Sequence, residues 1–170
     1  RIEEFLNTTL TVTGRKVAVF DCDGTVFGQA PYYLADEALY DYADKKYKNR
    51  KDKESRQKMA ILDRMVKDGN NVGKPYVEDR VHFLSGMTPE EIATLGYDCY
   101  MRSYKGKMYP EMKTLISNLK EYGFEVWILT ASPEFLYQRF VASELGIPVT
   151  HVLGVKGVVK NGVMSDEIIM

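Results

Sequence analysis

The sequence contains little cysteine and little histidine. Its 170 residues include only Cys22 and Cys99, which lie far apart and form no C-x-x-C pair, and only two histidines, His82 and His151. A structural zinc site needs about four clustered Cys or His ligands. The composition therefore argues against a zinc protein.

An excess of charge of one sign is also absent, as are long apolar runs. The 23 Lys and Arg residues balance 24 Asp and Glu residues, for a formal net charge of -1. Such a chain has no global basic field, so we expect no nucleic-acid partner. The longest apolar runs, residues 17–20 and 126–129, fall far short of the roughly 20 residues of a membrane span, so we expect no membrane partner. The compartment stays open, because a chain that starts at Arg1 is compatible with a removed signal peptide.

What is present is the composition of a globular protein. The chain is 45% hydrophobic and 28% charged, and its length suits one domain with room for an insertion. Residues 16–20 form a short apolar, β-branched run that predicts a buried strand. Residues 124–129 predict a second strand, and residues 149–153 a weaker third. Helical patterns between them predict an α/β fold with a Rossmann-like parallel sheet.

The helical patterns also predict how the chain is divided. Helices are expected over 34–47 and 53–68, and Thr88-Pro89-Glu90-Glu91 is a capping box that starts another. We therefore expect an inserted helical cap at 30–108, and a core made of 1–29 and 109–170. After the second strand, Ser132 is expected to cap a helix that has Pro133 in its first position. Asn161-Gly162 predicts a hairpin turn near the end of the chain.

The segment directly after the first strand carries the chemistry. Asp21 and Asp23 lie at i and i+2, in the crevice where open α/β proteins place ligands. Two such carboxylates repel each other and need a cation or strong donors. Mg²⁺ suits them, because it binds one or two carboxylates together with substrate phosphate. The pattern predicts phosphate chemistry, in which one carboxylate attacks phosphorus and the other transfers a proton. An ordinary polar turn is the alternative interpretation.

Asp21-Cys22-Asp23-Gly24-Thr25, preceded by its apolar strand, resembles the first motif of the haloacid-dehalogenase-like superfamily. The resemblance implies that Asp21 is the nucleophile and Asp23 the general acid and base. It also implies that Mg²⁺ binds the carboxylate of Asp21 and the backbone carbonyl of Asp23. Gly24 permits a tight exit of the chain, and the small Thr25 leaves space around the phosphate.

Residues 126–130 resemble the second motif of that superfamily, an apolar strand that ends in Thr or Ser. The resemblance implies that the Thr130 hydroxyl donates to a phosphoryl oxygen. Backbone N–H groups near Ala131 and Ser132, and the N-terminus of the following helix, would add to phosphate binding. The alternative is that Thr130 or Ser132 only caps that helix.

The expected cap resembles that of the phosphoserine-phosphatase-like branch. The third and fourth motifs of the superfamily, a lysine and an acidic cluster, are expected beyond Met170. Lys156 and Lys160 are expected in the hairpin as solvated side chains, and residues 166–167 in a surface turn. We therefore expect weak Mg²⁺ binding and poor turnover from these 170 residues.

The sequence says less about the substrate than about the type of reaction. Phosphoserine phosphatases place a glutamate where this chain has Ala30, which argues against free phosphoserine. The chain is loosely similar to phosphorylcholine phosphatases, and an early tyrosine cluster offers cation-π contacts to a cationic head. That cluster comprises Tyr32, Tyr33, Tyr40 and Tyr42. Ordinary core and surface packing is the preferred interpretation of these tyrosines.

These observations together predict a Mg²⁺-dependent phosphatase that acts on a small phosphorylated metabolite through an aspartyl-phosphate intermediate. Two alternatives remain open. One is a phosphotransferase of the same fold, and the other is a binding protein whose site does not turn over.

Overall fold

The computed structural model describes residues 1–169, which form a four-stranded sheet and seven α-helices. The strands are β1 (Lys16–Phe20), β2 (Phe124–Pro133), β3 (Val152–Lys160) and β4 (Val163–Ile169). The helices are α1 (Ile2–Thr8), α2 (Leu34–Lys46), α3 (Lys53–Asp68), α4 (Lys74–Leu84), α5 (Pro89–Cys99), α6 (Pro110–Glu121) and α7 (Glu134–Leu145). No helix within residues 1–169 has the length and apolar character needed to cross a bilayer.

The sheet confirms the α/β prediction. Its strand order is β1-β2-β3-β4, with β1, β2 and β3 parallel and β4 antiparallel. Phe20 pairs with Ile128, so the chain leaves β1 beside the last residues of β2. The register thus brings the two sequence motifs to the same edge of the sheet.

The prediction of a strand at residues 16–20 is confirmed by β1, but the prediction that this strand is buried is wrong. The strand exists, but Val17 is 43% exposed and Val19 57% exposed. Within residues 1–169, β1 pairs only with β2 and is an edge strand. Successive side chains of a strand point to opposite faces of the sheet. The exposure of Val17 and Val19 therefore shows that one face of β1 is uncovered, while the residues of its other face are half-buried.

A helical insertion, which comprises α2 to α5 and the short turns at Tyr100–Tyr104 and Lys105–Lys107, separates β1 from β2. The predicted helices at 34–47 and 53–68 are confirmed as α2 and α3. The capping box is confirmed too, because Thr88 and Glu91 exchange hydrogen bonds at the start of α5. Helix α4, which begins after Gly73, was not predicted separately.

The predicted start of the helix after β2 is wrong. Strand β2 continues to Pro133, and α7 begins at Glu134 without a side-chain cap. Ser132 does not cap the helix, since its own N–H donates to Thr130 Oγ1 at 3.2 Å. The pairing of β2 with β3 changes register between Leu129 and Pro133.

The C-terminal hairpin is confirmed, with one correction. Asn161 and Gly162 have positive φ angles of 51° and 82°, as the tight turn between β3 and β4 requires. Lys156 and Lys160 lie in this hairpin, as predicted. Residues 166–167 belong to β4 and not to a surface turn. The predicted third strand starts later, because residues 149–151 form a 3₁₀ turn.

The helical insertion shares its core with the sheet through contact between α5 and α7. A Cβ atom added to Gly96 would lie 1.8 Å from the carbonyl oxygen of Leu136, so the two helix backbones touch. The rings of Tyr100 and Phe140 stack with centroids 4.5 Å apart. Arg139 of α7 also donates to Thr94 of α5 at 2.8 Å.

Candidate active site

Asp21 lies in an exposed turn directly after β1. Its Oδ2 accepts a hydrogen bond of 3.1 Å from the Thr25 hydroxyl. Gly24 has a φ of 76° and donates its N–H to the carbonyl of Phe27 at 2.8 Å. The prediction that a glycine permits the tight exit here is therefore supported by the backbone. The Asp21 carboxylate is left facing outward with one weak partner.

Asp23 lies two residues further on in a very different environment. It is 8% exposed, and each of its carboxylate oxygens accepts a hydrogen bond. Leu34 N–H, at the start of α2, donates to Oδ1 at 3.1 Å, and the Tyr137 hydroxyl of α7 donates to Oδ2 at 2.7 Å. Burial raises the pKa of Asp23 to about 6, although these two hydrogen bonds lower it and the nearby Asp21 carboxylate raises it.

Tyr137 connects this carboxylate to the helical insertion. The side chain is fully buried. Its hydroxyl oxygen accepts the Ala35 N–H at 3.3 Å while its hydrogen goes to Asp23. One hydroxyl group therefore contacts both the carboxylate and the first turn of α2.

The end of β2 supplies the opposite wall of the site. Thr130 and Ser132 are buried, at 6% and 4% exposure, and Ala131 between them is exposed. The prediction that the Ser132 N–H is free to bind phosphate is wrong, because this N–H donates to Thr130 Oγ1. The hydroxyl hydrogen of Thr130 stays available to a ligand.

A cavity of about 240 Å³ brings most of the predicted site together. Its lining contains Asp21, Asp23, Thr130, Ala131 and Ser132, and also Tyr33, Asn71, Val72 and Arg80 from the helical insertion. Gly24 and Thr25 do not line it. The two sequence motifs thus meet at one cavity, with the insertion forming its roof.

Arg80 is the buried cation at this cavity, and sequence reasoning missed it. It is 1% exposed, and it makes a two-point ion pair with Asp36, at 2.7 Å through Nε and 2.9 Å through Nη2. Its guanidinium carbon lies 4.8 Å from the ring centre of Tyr76 and 5.8 Å from that of Tyr33. The guanidinium charge is therefore balanced inside the protein.

Tyr137 and Asn71, like Arg80, were not identified from the sequence. No local motif marks them, since Tyr137 is 114 positions from Asp23 and Asn71 lies in the loop before the unpredicted α4. The helix predicted after the second strand gave only a weak signal for Tyr137, because a tyrosine that becomes buried needs a partner for its hydroxyl.

The residues present fit a Mg²⁺ ion only in part. Within residues 1–169, no group of three or more His, Cys, Asp or Glu side chains could hold a metal. The Asp21 carboxylate is accessible, whereas both oxygens of Asp23 are hydrogen-bonded. One free carboxylate suits an ion that keeps several waters and shares a substrate phosphate.

Comparison with known proteins places the fold. The family model for haloacid dehalogenase-like hydrolases matches residues 18–169. No curated protein sequence matches the chain. Among solved structures, a protein of unknown function from Bordetella pertussis Tohama I has a TM-score of 0.67 at 17% identity, over 92% of this chain and 67% of that one.

Two further structures carry phosphoserine phosphatase names. A phosphoserine phosphohydrolase-like protein from Francisella tularensis has a TM-score of 0.53 at 19% identity, over 90% of this chain and 64% of that one. A substrate-bound phosphoserine phosphatase complex has a TM-score of 0.51 at 14% identity, over 92% and 63%. This chain thus spans about two thirds of their length, and the likeness concerns the fold. The match of the family model over most of the sequence shows that the chain belongs to the haloacid dehalogenase-like hydrolases.

Proposed function

We propose that this protein hydrolyses phosphate monoesters through a phosphoryl group carried on Asp21. The observation that carries the proposal is the shared cavity, in which an exposed carboxylate and a buried one face the Thr130–Ser132 edge of β2. An exposed carboxylate can reach phosphorus, and a buried one can hold a proton. The proposed roles follow this difference in environment.

In the first half of the reaction, an Asp21 oxygen attacks phosphorus and the bond between phosphorus and the ester oxygen breaks. Asp23 gives its proton to that departing oxygen, so an alcohol leaves and an aspartyl phosphate remains. In the second half, Asp23 takes a proton from water, and the water oxygen attacks phosphorus. Inorganic phosphate leaves and the Asp21 carboxylate is restored.

The surrounding groups would hold these parts in place. The Tyr137 hydroxyl and the Leu34 N–H fix the orientation of Asp23. The free hydroxyl hydrogen of Thr130 can donate to a phosphoryl oxygen, and the backbone at Ala131 and the Ser132 hydroxyl lie along the same wall. Such positioning supplies most of the rate in phosphoryl transfer.

Mg²⁺ would be held by the Asp21 carboxylate and the backbone carbonyl of Asp23, with the remaining positions taken by water and phosphate. When bound, the ion neutralises phosphoryl charge. The helical insertion would serve as the cap over the site, because Tyr33, Asn71 and Arg80 already form the roof of the cavity.

Phosphate release from a panel of small phosphate esters with Mg²⁺ tests the proposal. We expect release by the chain and none by the Asp21→Asn variant, together with a hydroxylamine-labile phosphoryl adduct that the variant lacks. Release that persists in the variant would contradict the assignment of Asp21. Product formation only when a second alcohol is added would indicate the phosphotransferase instead, and ester binding without an adduct would indicate a binding protein.

A further inference from the structure

A second, larger cavity adjoins the acidic site within the helical insertion. Its volume is about 750 Å³, and its lining is rich in aromatic and apolar side chains from α2, α3, α4 and the segment before α2. Those that matter here are Tyr32, Tyr33, Tyr40, Tyr76, Met65 and Asp36. Tyr42, which belongs to the same sequence cluster, does not line it.

The two cavities are neighbours, since Tyr33 and Asn71 line both of them. A phosphoryl group placed between Asp21 and Thr130 would therefore direct its ester oxygen and organic group past these two side chains. The larger cavity is thus positioned to receive the alcohol part of the ester. This step rests on the proposed function.

The charges in this region are already paired. Asp36 is the only charged side chain among the described residues that line the larger cavity, and both of its oxygens bind Arg80. A carboxylate on the ligand would find no free cation there, and an ammonium group would find no free carboxylate. Burying an unpaired charge is costly.

A separate groove on the other side of Tyr32 and Tyr40 also carries charged side chains. It carries Glu37, Asp41 and Asp44 together with Lys107. Glu37 accepts the Tyr104 hydroxyl at 2.8 Å, Asp41 binds Arg102 and Lys45, and Asp44 binds Lys48. Asp41 and Asp44 are therefore paired with cations, whereas Glu37 is bonded by a neutral hydroxyl and does not line the larger cavity.

The aromatic surface is only partly occupied. Arg80 already lies over the rings of Tyr33 and Tyr76. Tyr32 and Tyr40 pack edge to face with centroids 5.7 Å apart, and Tyr32 is 53% exposed. Rings arranged in this way accept a further ring in offset or edge contact.

From the charge balance and the free ring surface, we infer that the larger cavity binds the leaving group of the substrate and that this group is an uncharged alcohol bearing an aromatic ring. Amino-acid phosphates are then poor ligands because their charged groups find no free partner. Phosphorylated quaternary amines are poor ligands because the Arg80 guanidinium already lies over the rings of Tyr33 and Tyr76. Ala30 lines this cavity. An uncharged leaving group has no ammonium, so it needs no acidic side chain at this position.

The test measures dissociation constants by calorimetry in metal-free buffer with the Asp21→Asn variant, which cannot form the covalent intermediate. The ligands are benzyl phosphate, cyclohexylmethyl phosphate, O-phosphoserine and phosphocholine. We expect benzyl phosphate to bind about 10-fold more tightly than the two charged esters and about 3-fold more tightly than the cyclohexyl ester. Equal or tighter binding of O-phosphoserine or phosphocholine overturns the inference.

Tyr40 supplies the matched variants. In the same background, Tyr40→Leu should weaken benzyl phosphate about 3- to 10-fold and leave inorganic phosphate unchanged, whereas Tyr40→Phe should retain affinity. Tyr42→Leu, on the same helix but outside the cavity, should have no effect. Identical results for Tyr40→Leu and Tyr42→Leu would show that the ring lies elsewhere.

A probe without phosphate separates this inference from the proposed function. Benzyl alcohol should show saturation-transfer NMR signals with the unmodified chain that weaken in Tyr40→Leu. If no ester releases phosphate but benzyl alcohol binds in this way, the phosphatase proposal fails and the ring site stands. If esters are hydrolysed without preference and benzyl alcohol does not bind, the ring site fails and the phosphatase stands. If neither is observed, both fail.

Discussion

At the scale of single residues, the most informative contact is the one between Tyr137 and Asp23. A fully buried hydroxyl donates to the carboxylate at 2.7 Å and accepts from the first turn of α2 at 3.3 Å. Asp23 therefore takes its orientation from both the core and the insertion. The proton transfer proposed for Asp23 depends on that orientation, which gives a prediction about leaving groups.

We expect Tyr137→Phe to lower kcat/KM for benzyl phosphate by about 10-fold or more and to change kcat/KM for 4-nitrophenyl phosphate by less than about 3-fold. Benzyl alcohol is a poor leaving group and needs the proton of Asp23, whereas 4-nitrophenolate leaves without one. The values of kcat/KM for both esters measure the effect, because they report formation of the aspartyl phosphate and not its hydrolysis, which is the same for both esters.

The control is Tyr104→Phe, which also removes a buried hydroxyl with two hydrogen bonds, to Tyr32 and Glu37, but does not touch Asp23. It should leave the ratio of the two rates unchanged. An equal loss with both esters in Tyr137→Phe would mean that the hydroxyl supports folding and not the orientation of Asp23.

At the scale of elements, the start of α3 depends on one ionised side chain. Asp52 accepts the Ser55 N–H at 3.0 Å and the Ser55 hydroxyl at 2.8 Å, and these bonds lower its pKa to about 2. A carboxyl group whose pKa is lower in the folded state stabilises the fold above its unfolded pKa of about 4, and this contribution is lost as the pH falls toward 2.

We therefore expect the chain to be more stable than its Asp52→Asn variant near neutral pH, and the difference to shrink between about pH 4 and pH 2. Asparagine keeps the cap acceptor and removes only the charge. Urea unfolding of both proteins across this range measures the difference. A difference that is constant with pH would contradict the assignment of this pKa.

The contact between α5 and α7 depends on a glycine. Gly96→Ala would place a methyl group 1.8 Å from the Leu136 carbonyl oxygen, so the helices must separate. We expect the free energy of unfolding to fall by more than about 2 kcal/mol. Gly106→Ala, where nothing lies within 4 Å of the added carbon, should stay within about 0.5 kcal/mol. Chemical denaturation of the two variants checks both values, and equal stability would contradict the close approach.

At the scale of the whole molecule, the site offers few ligands to a metal ion. Asp21 is its accessible carboxylate, and Lys156 and Lys160 lie outside the lining of the acidic cavity. We expect this chain to need Mg²⁺ at about millimolar concentration and to turn over slowly. Calorimetric titration should show weak binding that Asp21→Asn abolishes and Asp63→Asn, at an exposed site on α3, preserves. Tight binding by the Asp21→Asn variant would place the ion elsewhere.

The parts of the fold that were predicted are those with local causes. The aspartate motif, the capping box and the Asn161-Gly162 turn each depend on a few neighbouring residues, and all three are present. The α/β order followed from the spacing of the apolar runs, and the family model agrees with it.

The parts that were missed depend on pairings across long stretches of chain. Arg80 acquires its meaning from Asp36, which is 44 positions away, and neither residue alone indicates an ion pair. The exposure of Val17 and Val19 in β1 depends on whether another element covers their face of the sheet, which the apolar pattern of the strand does not encode. Ser132 was wrongly predicted to cap a helix. The same small polar residues occur at the start of a helix and in a strand that continues past its motif, so the sequence does not distinguish the two.

The glycine contact between α5 and α7 has a consequence for how the helical insertion opens and how the molecule unfolds. Because the two backbones touch at Gly96 and Leu136, helix α5 cannot swing outward as a hinged lid unless it first breaks the packing of α7 against the sheet. The end of α4 is tied to the sheet as well, because the Gly86 N–H donates to the carbonyl of Met164 and the Met164 N–H donates to that of Met87, both at 2.8 Å. Neither α4 nor α5 can therefore open on its own as a hinged lid. Heating should accordingly melt the insertion and the sheet in one calorimetric transition, with a ratio of calorimetric to van't Hoff enthalpy of about 1.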